Sequence, residues 1–274
     1  MSEPIVIVAA LNGRRDRSVA KKLPYAADEL AKEARRAVDA GASVVHVQAR
    51  RGDGALAYDL TYDDVIAAIR AEVDVPVSIP CQRVRQTSLG TVVALFKALR
   101  ELPDIATVPV RPLGPELPAH REEARQLLAA CEAAGVAPAA VIVDIESVAD
   151  VEALLGDGLL AGSPWVELAL GAPSAEHGTA GTPRNLMRLH DALSSALGAM
   201  RWLAYAEGSA TAPVCATAAA LGGSIRVGLE DTPLLPDGSK AGSTAELVEL
   251  AAGLADAVGR EVMEPAEVRR LLRS

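Results

Sequence analysis

Pro4-Ile5-Val6-Ile7-Val8-Ala9-Ala10 is a continuous apolar run rich in β-branched residues. Apolar and polar residues do not alternate in it, so it reads as a parallel strand covered on both faces. The rest of the chain sets how many such strands there are. A helix over 28–40 places Leu30, Ala34, Ala37 and Val38 on one face, and Gly41 stands where it should stop. A second strand is predicted over 43–48. Thr61 and Asp64 have the spacing of a capping box for a helix that turns Val65, Ile66 and Ile69 inward.

The alternation continues to the end of the chain. Strands are predicted over 75–79, 104–108, 139–145, 164–170, 200–205 and 224–229. Helices are predicted over 91–102, 121–134, 148–155, 183–197, 212–221 and 244–258, with Pro183 in a first helical turn. Eight strand–helix units in about 250 residues is the usual dimension of a (β/α)8 TIM barrel. A doubly wound open sheet shares the alternation, but eight even units without a dinucleotide fingerprint favour the closed barrel. No linker or low-complexity stretch is present, so residues 1–274 are expected to form one barrel domain. The segment 265–272 reads as an extra C-terminal helix.

Composition narrows the function. Half of the 274 residues are apolar, with one Phe, two Trp and four Tyr, so the core must be mainly Ala, Val and Leu. A net charge of −9 without a basic run argues against a nucleic-acid surface. The apolar run 5–11 is too short to span a membrane and has no basic segment before it. Cys81, Cys131 and Cys215 are widely spaced and form no CxxC, as expected of buried thiols in a cytoplasmic protein.

Barrel active sites lie at the carboxyl ends of the strands. The polar residues predicted there are Asn12, His46, Gln48, Arg50, Gln82, Arg83, Thr107, Asp144, Glu146, Glu167, Glu207, Arg226, Glu230 and Asp231. Strand parity turns His46, Gln48 and Arg50 to one face and Val45, Val47 and Ala49 to the other. On the last strand it groups Arg226, Gly228 and Glu230, and Asp231 comes where the strand gives way to a loop. His46 is the one histidine predicted on a strand; His120, His177 and His190 fall in loops or helices. An imidazole and a carboxylate on neighbouring parts of the ring are the start of a divalent-metal site. The residue at the spacing of a third ligand is Gln48, whose amide oxygen is a weak donor for zinc.

Three stretches carry a resemblance: Ala9-Ala10-Leu11-Asn12-Gly13, the segment 40–50 ending His46-Val47-Gln48-Ala49-Arg50, and Gly222-Gly223-Ser224-Ile225-Arg226-Val227-Gly228-Leu229-Glu230-Asp231. Ala245-Glu246-Leu247-Val248 extends the third. In these the chain resembles the β-keto acid cleavage enzyme family over the whole barrel. The resemblance implies a zinc-dependent exchange in which a β-keto acid and acetyl-CoA become acetoacetate and a new acyl-CoA. It implies His46, Gln48 and Glu230 as the ligands of Zn2+ or another divalent metal. It makes Asp231 the base and Arg226 its partner. Asn12, Arg50, Gln82, Thr107, Asp144 and Glu207 become candidates for holding substrate, and a homodimer or homotetramer is expected.

The chain also departs from the family pattern. Gln48 replaces the second histidine of H-x-H, and Pro80-Cys81-Gln82-Arg83 replaces a Thr/Gly-rich or Ser-bearing turn. Val143-Asp144-Ile145-Glu146 replaces P-E-x-E, Thr244 replaces an asparagine, and Arg14 and Arg15 stand where small or acidic residues are expected. Three readings are open: a divergent family enzyme that keeps its metal, a barrel enzyme with metal-independent acid–base or C–C lyase chemistry on an anionic substrate, and a non-catalytic binding protein. Retention of Arg226, Glu230 and Asp231 together disfavours the third, because unneeded buried charges are costly. Arg14, Arg15 and Arg17 read as a mobile basic loop that could meet the phosphates of coenzyme A.

Overall fold

The structure is a computed structural model and describes residues 3–81, 88–111, 121–160, 165–171 and 179–272. Eight parallel strands close into a barrel in sequence order: β1 (Ile7–Ala10), β2 (Val44–His46), β3 (Val77–Pro80), β4 (Ile105–Pro109), β5 (Ala137–Ile142), β6 (Trp165–Leu170), β7 (Arg201–Ala206) and β8 (Ser224–Val227). β8 returns beside β1, with Val8 opposite Arg226. Between them run α1 (Ala27–Asp39), α2 (Thr61–Glu72), α3 (Leu89–Ala98), α4 (Arg121–Ala134), α5 (Glu146–Gly156), α6 (Pro183–Leu197) and α7 (Thr211–Ala220). After β8 come α8 (Thr244–Ala257) and α9 (Pro265–Leu272). This is the expected (β/α)8 architecture.

Local chemistry explains the helix starts. The Glu29 carboxylate accepts the backbone N–H groups of Tyr25 and Ala26 at 2.8 and 3.1 Å, closing the first turn of α1. The cap expected from Thr61 and Asp64 is instead supplied by Asp59, whose carboxylate accepts both the backbone N–H and the hydroxyl of Thr61. Asp64 is exposed within the first turn of α2. Leu30, Ala34 and Ala37 are buried as predicted, and so are Val65, Ile66 and Ile69.

Strand ends differ from the sequence reading by a few residues. β5 ends at Ile142, so Asp144 precedes α5 and Glu146 begins it. β8 ends at Val227 because Gly228 takes φ +154°, where a Cβ would lie 2.0 Å from the Ala10 carbonyl oxygen. Only glycine can turn the chain there.

Outward-facing Val45, Val77, Val166, Leu168 and Ile225 join Leu30, Ile66, Leu128, Leu186 and Val248 of the helices in the main core. Inside the barrel, Val6, Val8, Val44, Ile105, Ala139, Trp165 and Leu203 form a separate apolar cluster with Val268 of α9. The C-terminal helix therefore plugs the amino-terminal end of the barrel. Two residues further along the same strands, the inward positions become His46, Thr107, Val141, Glu167, Tyr205 and Arg226. The apolar layer is thus the base on which a polar floor rests.

Candidate active site

The polar floor centres on Arg226, which is buried and held from several sides. Its Nε donates to Asp231 Oδ2 at 3.1 Å and its Nη2 to Asp231 Oδ1 at 2.8 Å. This is a two-point fork that fixes the carboxylate in the guanidinium plane. The same Nη2 lies 2.9 Å from Glu230 Oε1, and Nη1 lies 4.0 Å from Glu167 Oε2. The ring of Tyr205 covers one guanidinium face at 4.2 Å.

Burial and like charges push the Asp231 carboxyl up to about 6, against the opposing pull of Arg226. Burial acts the same way on Glu230, but Arg226, His46 and the hydrogen bonds from Arg226 and Gln48 outweigh it and hold that carboxyl below its usual value. The strand-eight pair is therefore differentiated: Glu230 stays an anion, whereas Asp231 titrates close to neutrality.

His46 sits on β2 with 2% of its surface exposed. Burial and then Arg226 lower its pKa to about 4, so the ring is neutral at pH 7. Its Nδ1 lies 3.0 Å from Ser78 Oγ, and its Nε2 lies 3.9 Å from Glu230 Oε2. The latter is an approach of a neutral ring to a carboxylate rather than an ion pair. Gln48 Nε2 donates to Glu230 Oε1 at 3.2 Å. Gln48 Oε1 and Glu230 Oε2 are buried without a hydrogen-bond partner among the described residues.

Those two oxygens and the neutral imidazole bear directly on the implied cation. An imidazole nitrogen with its other nitrogen engaged, an anionic carboxylate oxygen and an unpaired amide oxygen make a donor set that a divalent ion would satisfy. Two features weaken it. Among the described residues no three His, Cys, Asp or Glu side chains are grouped so as to hold a metal ion, and Arg226 already places positive charge on Glu230. The residues fit a divalent cation, with two strong donors and one weak one.

The other predicted residues separate into those that build the site and those at its rim. Asn12 Nδ2 donates to the carbonyls of Gln48 (2.8 Å) and Pro24 (3.2 Å), while its Oδ1 accepts from the N–H groups of Gln48 and Gly13. It ties the loop after β1 to β2. Arg50 donates to the carbonyls of Gly13, Arg15 and Gly54, with its guanidinium 4.6 Å over Tyr25. Thr107 is buried on the floor. Asp144 accepts the backbone N–H and hydroxyl of Ser147 and so opens α5. Glu207 follows β7 at the rim, 3.7 Å from Arg15. Gln82 and Arg83 lie outside the described residues, as do His120, His177 and most of the Gly/Ala-rich loop after β6.

Two members of the site carry no role in the sequence reading. Glu167, in the middle of β6, is 3% exposed, and burial raises its carboxyl to about 7. A signal for it exists: both faces of an all-parallel strand are covered, so a lone glutamate within Val166-Glu167-Leu168 must enter the lumen. Arg15, read as part of a mobile loop, donates to the carbonyls of Glu230 and Asp231.

Comparison with known proteins places this geometry. The family described as beta-keto acid cleavage enzyme matches residues 4–273. The chain is 27% identical over 304 residues to a 3-dehydrocarnitine:acetyl-CoA trimethylamine transferase of Rhizobium meliloti (strain 1021), covering 100% of this chain and 97% of the relative. It is 28% identical over 287 residues to a 3-keto-5-aminohexanoate cleavage enzyme of Fusobacterium nucleatum, covering 99% and 98%. Among solved structures, ObcA in a ternary complex with a C4-CoA adduct and oxalate superposes with a TM-score of 0.77 at 18% identity, over 92% of this chain and 68% of that one. A type I 3-dehydroquinate dehydratase of Clostridium difficile superposes at 0.59 with 14% identity, over 94% and 95%. Both structural likenesses are of fold alone.

Proposed function

The chain belongs to the beta-keto acid cleavage enzyme family, and from that premise we propose that it exchanges acyl groups between a β-keto acid and acetyl-CoA, releasing acetoacetate and a new acyl-CoA. The observation that carries the reading is the buried fork between Arg226 and Asp231. It presents an oriented carboxylate beside an anionic Glu230 and a neutral His46. The names of two full-length relatives, one an acetyl-CoA transferase and one a keto acid cleavage enzyme, support the same chemistry.

In this reading Asp231 removes a proton from the carbon between the keto and carboxyl groups of the substrate. Arg226 holds the base in plane and keeps positive charge next to it as it cycles between anion and acid. The resulting carbanion attacks the acetyl carbon of acetyl-CoA, forming one carbon–carbon bond and displacing the coenzyme thiolate. The thiolate then attacks the original keto carbon, and the old carbon–carbon bond breaks. Its electron pair is left on the carbon of the nascent acetoacetate, which takes back the proton from Asp231. Atoms and charge balance, and no redox partner is required.

His46 Nε2, Glu230 Oε2 and Gln48 Oε1 are the atoms that would hold a divalent cation. When bound there, it supplies Lewis-acid polarisation of the substrate's keto oxygen. In this reading the buried His46 and Thr107 and the half-buried Tyr205 line the floor on which the reacting carbon would rest. A second reading, acid–base chemistry without metal, is favoured by Gln48 in the third donor position.

The test is incubation of the protein with acetyl-CoA and a panel of β-keto acids, scored for acetoacetate and for the new thioester. Zinc-loaded and chelator-treated samples are run in parallel. Acetoacetate from the loaded sample alone is the expected result. Equal rates in both samples would favour the second reading, and no product from any β-keto acid would remove the proposal.

A further inference from the structure

The backbone that carries the Glu230 and Asp231 carboxylates is gripped from a direction that the acyl-exchange reading does not use. Arg15, on the loop after β1, donates through Nε to the Glu230 carbonyl at 2.9 Å and through Nη2 to the Asp231 carbonyl at 2.9 Å. These are charge-assisted bonds to two consecutive peptide groups, across more than two hundred residues of sequence. Its contact with Glu207 is looser, at 3.7 Å, and both side chains are about a quarter exposed. That ion pair is too solvated to explain the arginine's placement.

The loop that carries Arg15 is itself anchored. Arg50 donates to the carbonyls of Gly13 and Arg15, and Asn12 binds both the backbone of Gln48 and the N–H of Gly13. Gly13 has φ +57°, and a Cβ there would lie 2.2 Å from Glu230 Cγ. The loop backbone therefore packs against the Glu230 side chain while Arg15 holds the Glu230 and Asp231 carbonyls. A chain of contacts runs from Gln48 and Arg50, just past β2, through residues 12–15, to the β8 turn.

We propose that Arg15 is a positioning residue for the exchange reaction: it locks the backbone of the Glu230–Asp231 turn, so that Asp231 meets Arg226 and Glu230 meets His46 in register. A planar guanidinium spans two neighbouring carbonyls at once, which a lysine ammonium cannot do in the same plane. The basic character of this loop thus serves the geometry of the strand-eight pair.

The test uses the full chain with Arg15→Met and Arg15→Lys. The first readout, hydrogen–deuterium exchange, does not depend on the acyl-exchange reading. Amides of 228–232 should exchange on the order of tenfold faster in Arg15→Met, with other segments unchanged. The second readout rests on that reading. The kcat should fall about 100-fold, the scale of a misplaced catalytic group, with KM for the keto acid nearly constant. Arg15→Lys should recover only part of both effects, and added guanidinium should restore part of the Arg15→Met rate.

Unchanged exchange at 228–232 would overturn the proposal whether or not any β-keto acid is turned over. So would exchange that rises evenly over the whole chain, which marks a merely structural role. A raised KM with intact kcat would also overturn it, by making Arg15 a substrate-binding group. If Arg15→Met does not fold, the same criteria apply to Arg15→Lys. If the wild-type protein turns over no β-keto acid, the functional reading fails and the exchange measurement still decides this one.

Discussion

Two layers of the same barrel, two residues apart along each strand, have opposite chemistry. In the lower layer the inward positions are Val44, Ile105, Trp165 and Leu203, sealed by Val268 of α9. In the upper layer the same strands present His46, Thr107, Glu167 and Tyr205, with Arg226 at the centre. Apart from the half-buried Tyr205 both layers are buried, so burial alone does not separate core from site. The lower layer gains from leaving water, at roughly 1.5–3 kcal/mol for each large side chain fully covered. The upper layer loses hydration and recovers it mainly through the Arg226 pairings, with the His46–Ser78 and Gln48–Glu230 contacts beside them. Stability should therefore reside in one layer and turnover in the other, and mutations two residues apart should dissociate them.

The largest effect is expected at Asp231. Asp231→Asn keeps the volume and one acceptor but removes the base, so turnover should fall by about 10³-fold or more, within the range of general base catalysis. The melting temperature should move little, because losing a buried negative charge offsets the poorer fit of an amide against Arg226. A steady-state assay with a thermal melt checks both, and an unchanged rate would remove Asp231 as the base. The complementary change is Leu203→Ala in the lower layer, one inward step below Tyr205. It should cost about 2–5 kcal/mol of stability through the cavity it leaves. The kcat of the folded fraction should stay close to wild type. A denaturant titration beside the same assay would break the two-layer picture if both quantities fell together.

The same contrast explains what can be read from the sequence. The lower layer and the helix-facing core are legible because doubly covered strands leave continuous apolar runs, as in Ile5-Val6-Ile7-Val8. Strand ends are less so, since the end of β8 is set by the approach of Gly228 to the Ala10 carbonyl, a contact invisible in local sequence. In the upper layer, Arg226, Glu230 and Asp231 stand out because charged residues closing an apolar strand need partners. Glu167 does not, because parity places it in the lumen but does not reveal the guanidinium 4.0 Å away. Arg15 escapes, and Arg50 is read as a substrate group rather than as an anchor of the loop after β1, for a related reason. Each is satisfied by backbone carbonyls, and nothing in a sequence marks which carbonyls will be free to accept.

The smallest expected effect probes the point where the two halves of the upper layer meet. Gln48 donates its amide to Glu230 and leaves its own oxygen unpaired, so it supports the strand-eight carboxylate while offering a weak donor to a cation. Gln48→His would trade that hydrogen bond for a second neutral nitrogen beside His46 and Glu230, a donor set closer to the usual zinc preference. Affinity measured by competition with a zinc indicator should tighten by on the order of tenfold, about 1.4 kcal/mol. The gain is modest because Arg226, 2.9 Å from Glu230, continues to oppose a cation in either protein. An unchanged affinity would mean that position 48 does not face the ion and that only His46 and Glu230 contribute. Zinc binding by the variant with none by the wild type would place the divergence of this chain at Gln48 itself. It would favour the metal-independent reading, with Arg226 as the central cation of the floor.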